Sequence, residues 1–555
     1  MGAKRWTRRG GWLAAWGCGG IFLLWGCGFT GDLSRFGDNV LVMSNLAEPG
    51  SLDPALQSGV EEQRITLALF EGLLAYDPKT LRPRPGLASR WSVSRDGRTW
   101  TFHLRPSTWS DGRPVTAYDF VYAWRRVLDP PGARRAGSAE YAVASPYADL
   151  MDVIVGARKY RRGEVDDFAA VGVKTPDPHT LEVHLEQATP WFADLVCFPT
   201  FMPVPRHVVE RERERWTHAG VMVSNGPFVL DERRPGAFLR VRKNPRYWDA
   251  QTVRLESLVY LSTDRVDTAL DQYLAGESDW VRGFNPMKAR AWRADPKLGS
   301  ALHAPDYLGT YFLRFNVRKP PLDDVRVRQA LILAVDREAI TRNLTGMGEK
   351  PATGIIPPCL VTDPPWQNLR GHGLDHDPAR ARVLLAAAGF PAGKGFPRLT
   401  YAFNSDVKNR AIAEAIQAMW KDVLGIRVDL INREKRVHLA RERAGDYDIS
   451  RGSWIGDFND PVTFLDFMRS DAGNNRTGWR CRRFDELLDA ARTESAAARR
   501  IALLQDAERI LMVDEAPLLP VYHFTTAYVL RPGRFEGIFE NARDLHPPKF
   551  IRRLP

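Results

Sequence analysis

Across its 555 residues the chain alternates short strand signals with helical stretches, and no flexible interdomain linker interrupts the pattern. That feature constrains the fold more than any other. A chain this long exceeds what one core usually holds, so two or three domains are expected. Without linkers, such domains are lobes joined by several crossing strands. The alternation predicts an α/β or mixed fold. Loops such as Ile356-Pro357-Pro358-Cys359 and Pro391-Ala392-Gly393-Lys394-Gly395 punctuate the elements.

Local signals are clear in several places. Thr99-Trp100-Thr101-Phe102-His103-Leu104-Arg105 puts Trp100, Phe102 and Leu104 on one face, as a half-buried strand does. Ser94-Arg95-Asp96-Gly97 and Ser110-Asp111-Gly112 supply the flanking turns. Thr116 is the N-cap expected for a helix carrying Phe120, Val121, Trp124 and Val127. Further along, Asp323 and Asp324 open a helix with Val327, Ala330, Leu331, Ala334 and Val335 inward. Another carries Ile412, Ile416, Met419, Trp420 and Val423. Both have the spacing of amphipathic helices packed on a sheet.

The N-terminus is of another kind. Lys4, Arg5, Arg8 and Arg9 precede an apolar stretch from Gly11 to Gly26, the pattern of a signal segment ending near residue 27. Leu24-Trp25-Gly26-Cys27 resembles the lipobox of bacterial lipoproteins, with Cys27 as the acylated residue, although Trp25 departs from the small or branched residue usual there. Cys18 is the weaker candidate, because the apolar run 21–25 follows it. Acyl chains would tether an otherwise soluble domain to a membrane. No other long apolar run predicts a membrane span. Those four basic residues hold four of the net +11 charges, and the rest of the surplus is dispersed without a basic–aromatic motif, so nucleic acid is not expected as a partner. Cys197, Cys359 and Cys481 are far apart and form no C-x-x-C, so they read as small buried hydrophobes. No cofactor or metal is expected.

The most informative stretch for function is 451–461, Arg-Gly-Ser-Trp-Ile-Gly-Asp-Phe-Asn-Asp-Pro. It follows Tyr447-Asp448-Ile449-Ser450, so a strand runs into a loop carrying Asp457 and Asp460. With Ser58-Gly59-Val60, it resembles the peptide-gripping segment of the oligopeptide branch of family 5 of the ABC-transporter solute-binding proteins. Glu48-Pro49-Gly50-Ser51-Leu52-Asp53-Pro54, Trp109-Ser110-Asp111-Gly112, Ser224-Asn225-Gly226-Pro227-Phe228, Lys243-Asn244-Pro245-Arg246-Tyr247-Trp248 and Asp324-Val325-Arg326 agree with that family in order and spacing. The resemblance implies an α/β fold of the type II periplasmic-binding-protein kind, two lobes with hinge strands plus a small extra domain. Lobe I is expected over 33–70, 198–252 and 525–555, the extra domain over 71–197 and the second lobe over 253–524.

By the same resemblance the chain is an extracytoplasmic component of an importer in the periplasm or cell envelope. It would be a monomer that captures short peptides and hands them to ABC permease and ATPase subunits. Asp457 would pair with the ligand's α-ammonium, and Arg451 with its carboxylate through a planar fork. Ser58, Gly59, Val60, Ser453, Trp454 and Ile455 would bind the peptide backbone as adjoining strands. Gly59 and Gly452 would allow close backbone approach. Asn225, Tyr247, Trp248, Asn409 and Tyr522 match weaker cleft positions. Asn409 stands where a branch of the family has His, with Lys408 and Arg410 beside it. Ile455 stands where that branch has Cys, so the associated disulfide cannot form. Asp460, before Pro461, is expected to be structural.

Other classes have less support. A hydrolase would need H-E-x-x-H, G-x-S-x-G or a Cys–His cluster, and none is present. His372 and His376 read as a polar surface loop. The same fold could instead take a dipeptide, nickel chelate, haem or sugar, or serve as a peptide sensor or chaperone.

Overall fold

The computed structural model describes residues 36–37, 39–129, 143–362, 364–367, 369 and 373–555. The signal segment 1–27, Cys18, Cys27 and His372 lie outside the described residues. Among the described residues, no helix is long and apolar enough to cross a membrane.

Three sheets organise the chain. The first has seven strands, in the spatial order Leu302–His303, Tyr528–Leu530, Trp280–Arg282, Val40–Ser44, Ser257–Leu261, Phe238–Lys243 and Phe228–Arg234. Its central strand, Val-Leu-Val-Met-Ser, is buried along its whole length and pairs in parallel on both sides. An unbroken apolar run suits a strand covered on both faces. The second sheet has six strands: Lys350–Pro351, Leu518–Thr525, Asp306–Phe315, Ile449–Ile455, Leu399–Asn404 and Val428–Arg433. The helices Val325–Leu333 and Val407–Leu424 bury Leu331, Ile412, Ile416 and Trp420 in the core that this sheet shares. Asp324 and Asp406 cap them through the backbone N–H groups of Arg326 and Asn409.

The third sheet is antiparallel, Ala88–Val93, Thr99–Leu104, Thr180–His184 and Val173–Asp177. The helix Ala117–Leu128 starts from a capping box in which Thr116 and Asp119 serve each other's backbone. This unit is fastened to the first lobe by two buried polar joints. Arg126 forks onto the carboxylate of Asp53, in the segment 48–54. Glu71 takes hydrogen bonds from Tyr247 Oη at 2.7 Å and Lys549 Nζ at 3.1 Å.

One expected boundary moves. Strands Ser257–Leu261, Trp280–Arg282 and Leu302–His303 hydrogen-bond into the first sheet, so the second lobe begins at Asp306 rather than at 253. Both lobes alternate strands with helices, and that local pattern carries no signal for which sheet a strand joins.

The chain crosses between the two large sheets at 304–305 and again at 526–527. The crossings lie side by side. His303 is opposite Tyr528, Asp306 is opposite Thr525, and Thr526 N–H donates to the Pro305 carbonyl at 3.0 Å. A two-stranded ribbon this narrow is where rotation of one lobe on the other costs least.

Candidate functional site

Strand Ile449–Ile455 carries the candidate residues Arg451, Ser453, Trp454 and Ile455. Along one edge it pairs with Asp306–Phe315 over its whole length, from Ile449 opposite Phe315 to Ile455 opposite Gly309. Along the other edge it pairs with Leu399–Asn404 only at Ile449 and Ser450. His438 Nε2 approaches the Arg451 carbonyl at 3.1 Å, so that carbonyl faces the second edge. Backbone groups alternate between edges along an antiparallel strand. Ser453 and Ile455 therefore turn their N–H and C=O groups to the same edge, which among the described residues no strand covers beyond Ser450. An uncovered edge is a template for an added strand.

The two faces of the strand differ. Trp454 stacks on Phe467 at 4.6 Å between centroids. Arg451 lies on the opposite face, its guanidinium 4.7 Å from the Tyr311 ring centre, and its buried Nε has no hydrogen-bond partner among the described residues. Gly452 is required for a reason other than ligand approach: a Cβ there would stand 2.1 Å from Arg314 Nη1 and 2.7 Å from Phe312. Arg314 is held in place by Glu442 at 2.8 Å, beneath the strand.

Past the strand, the loop is pinned at both ends. Asp457 N–H donates to Thr463 Oγ1 at 3.0 Å. Asp460 accepts from Val462 N–H and pairs with both Nη atoms of Arg500 at 2.8 Å, a structural role as expected. The Asp457 carboxylate makes no ion pair within 4.0 Å among the described residues. Burial pushes it up to about 6, with Arg543 pulling it down and Asp149 pushing it further up. The side chain is half-buried, and that partial loss of water is what disfavours its charged form.

Two cavities meet at Asp457 and Tyr147. The smaller, about 360 Å³, is lined by Ser58, Gly59, Val60, Ile455, Asp457 and Arg543. Val60 and Ile455 are 38% and 39% exposed across it. The larger, about 600 Å³, is lined by Trp454, Asp149, Asp152, Asp466 and Arg492 among others. Ser58–Val60 thus lies across the small cavity from the end of the strand, but it is no strand itself. Gly59 is extended at φ −129° and N-caps a helix that begins at Val60. A Cβ there would stand 2.7 Å from Glu62 Oε2 and 2.8 Å from Glu61 Oε2, side-chain ends that would have to move.

Arg451 belongs to a second group on the same lobe. Tyr522 is buried and stacks on Tyr311 at 4.9 Å, Lys408 Nζ lies 5.1 Å above the Tyr522 ring, and Lys408 pairs with Glu349 at 2.6 Å. Asn409 is buried on the adjacent helix and donates to Asn404. Asn225, Tyr247 and Trp248 are not brought to either cavity. Asn225 exchanges hydrogen bonds with the Glu71 backbone at 3.2 and 2.9 Å, while Tyr247 and Trp248 donate to the Glu71 carboxylate. A buried carboxylate needs such donors, which explains Tyr247 and Trp248, while Asn225 satisfies the buried backbone N–H and C=O of the same residue.

Arg543, Tyr147, Asp149 and Tyr307 reach the cavities from segments that carried no motif. Asn541-Ala542-Arg543-Asp544 looks like any polar turn; only Asp544, at φ +54°, marks it as unusual backbone. Cys197, Cys359 and Cys481 are free.

Comparison with known proteins places the chain by sequence and by fold. The family described as bacterial extracellular solute-binding proteins, family 5, middle region, matches residues 82–476. The chain is 34% identical over 525 residues to the oligopeptide-binding protein OppA of Bacillus subtilis, covering 91% of this chain and 93% of that protein. It is 35% identical over 490 residues to the periplasmic murein peptide-binding protein MppA of Escherichia coli, covering 87% and 88%. The solved unliganded open form of an MppA murein tripeptide-binding protein superposes with a TM-score of 0.79 at 33% identity, covering 93% of this chain and 98% of that one.

Proposed function

Because the chain belongs to the family 5 bacterial extracellular solute-binding proteins, whose members are binding proteins and not enzymes, we propose that it captures short oligopeptides in extended form and delivers them to an ABC importer. One observation carries this most: among the described residues, a strand edge left uncovered at Ser453 and Ile455 ends at Asp457, a half-buried carboxylate without an ion-pair partner. The edge offers hydrogen bonds to any peptide backbone. Asp457 offers a full negative charge to what every unblocked peptide carries at one end. The side chains around the two cavities then need not be specific.

Closure about the ribbon 303–306 and 525–528 would bring Ser58 and Gly59 onto the peptide's other edge and shift the population toward a form that the permease recognises. The permease and ATPase subunits are the partners, and the ATPase supplies the energy. The chain works as a monomer in the periplasm or cell envelope, tethered through acylated Cys27. Mass spectrometry of ligands released on denaturing the purified chain tests the ligand class. Short peptides are expected; a haem, sugar or metal chelate in their place would keep the fold and overturn the ligand.

Binding should depend on pH through Asp457. The ligand needs the ionised carboxylate, and protons compete for it below about 6. Affinity for a free-amine peptide is expected to be level near neutrality and to fall toward tenfold per pH unit below that point. Calorimetry from pH 4.5 to 7.5 checks this; a flat profile would remove Asp457 from the ammonium contact.

Arg451 sets a length. Its six-residue separation from Asp457 is roughly 20 Å at strand rise, so peptides of about three to five residues end within reach of its side chain. Arg451→Ala is expected to weaken one of these lengths about tenfold or more, the scale of a hydrogen bond to a charged group, and to leave the others within about twofold. Equal losses at every length would make Arg451 a structural residue resting on Tyr311.

A further inference from the structure

Arg543 is the group in the small cavity that peptide capture leaves unexplained. It is 9% exposed, lines the cavity, and its Nη1 has no hydrogen-bond partner among the described residues. Its guanidinium lies 4.8 Å over the Tyr76 ring. Asp194 and Asp457 act on it only at longer range, and no carboxylate comes within 4.0 Å among the described residues. The neighbouring Asp544 is committed elsewhere, to Arg64 and Arg282. A buried guanidinium with an open donor is costly unless a ligand completes it.

Its distance from Asp457 is fixed by backbone. Leu308 N–H donates to the Ala542 carbonyl at 2.6 Å, and Gly456 N–H donates to the Leu308 carbonyl at 2.8 Å. Three chain segments therefore lie side by side, with Arg543 one residue along the first and Asp457 one residue along the third. Two strand spacings put their backbones roughly 10 Å apart. Both residues line the same cavity, and their opposite charges act on each other.

We propose that Arg543 is a carboxylate subsite beside the ammonium site, selecting ligands whose carboxylate lies within one or two residues of the free amine. This deepens the peptide-capture reading and rests on it. Two sources share that chemistry: the side chain of an N-terminal Asp or Glu, and the C-terminus of a dipeptide. Arginine suits either, since its fork can engage both oxygens. The sequence gives no hint of the subsite, because Arg543 is 86 positions from Asp457 in the chain.

Calorimetry on the full chain separates the outcomes. Glu-Ala-Ala is compared with Gln-Ala-Ala, and Ala-Ala with Ala-Ala amide, in wild type, Arg543→Gln and Arg543→Lys; Ala-Ala-Ala is the reference. The wild type is expected to prefer the carboxylate member of one pair about tenfold or more. Arg543→Gln should abolish that preference and leave Ala-Ala-Ala within about threefold, while Arg543→Lys keeps part of it. Preference in the first pair assigns the side chain as the source, and in the second pair the C-terminus. Ratios near one in both pairs, with Ala-Ala-Ala bound, would overturn the subsite. So would an Arg543→Gln variant that weakens every peptide alike, as a support for Tyr76 would. If Ala-Ala-Ala itself fails to bind the wild type, the peptide-capture reading falls, and this subsite with it.

Discussion

Asp457→Asn is expected to lose free-amine peptides by about 10²- to 10⁴-fold, and to do so in a protein that is no less stable. The loss is that of a buried charge pair with one partner removed, roughly 3–5 kcal/mol. The stability arm follows from the carboxylate's own titration. Burial raises it to about 6 in the unliganded fold, above its ordinary range. A carboxylate so raised favours the fold at pH values below its unfolded value of about 4, and that contribution is lost as pH rises through about 6. At pH 7.5 the ionised group therefore weakens the empty protein, and an amide in its place should leave the melting temperature unchanged or higher. Thermal melts beside calorimetry check both halves. A variant that binds poorly and also melts early would mean that Asp457 holds the loop together rather than the ligand.

The second large effect concerns the platform beneath the strand. Glu442 is buried and bridges Arg314 at 2.8 Å and Arg476 at 2.5 Å. Arg314 in turn packs against Gly452, at the middle of the strand that would receive the peptide. Glu442→Ala leaves two guanidiniums without their buried partner and is expected to destabilise the second lobe by about 3–5 kcal/mol. The measurement is the denaturant midpoint of that lobe. Replacing the whole cluster with apolar residues of matching volume, Arg314→Met and Glu442→Leu with Arg476→Met, should recover much of the loss, because no charge is then left buried alone. A single Glu442→Ala variant with an unchanged midpoint would show that solvent reaches these guanidiniums. Gly452→Ala belongs with this prediction, since its methyl would displace Arg314 from Glu442.

How much of this was legible in the sequence depends on range. Elements written by local chemistry are where the sequence puts them. Thr116 caps its helix, Trp100 and Phe102 share the buried face of Thr99–Leu104, and Ile449–Ile455 is a strand running into the Asp457 loop. Features that depend on distant partners were not legible. Strand Ser257–Leu261 joins the first sheet because Val40–Ser44 and Phe238–Lys243 flank it, and nothing within 257–261 states that. Ser58–Val60 was expected as a strand, yet Glu61 and Glu62 in the first turn favour a helix beginning at Val60. Gly452 was expected to make room for ligand and makes room for Arg314. Asn225, Tyr247 and Trp248 stood in motif-bearing blocks, but their partner is Glu71, far away in sequence.

The most direct measurement titrates the wild-type chain with one tripeptide, Ala-Ala-Ala, and its N-acetylated twin at pH 7. The two differ only in the charge that Asp457 would neutralise. Binding of the free peptide with a loss of about 100-fold or more on acetylation is the expected result. Equal affinity for both would contradict capture through Asp457 and leave an uncovered strand edge whose occupant is not held by its amine.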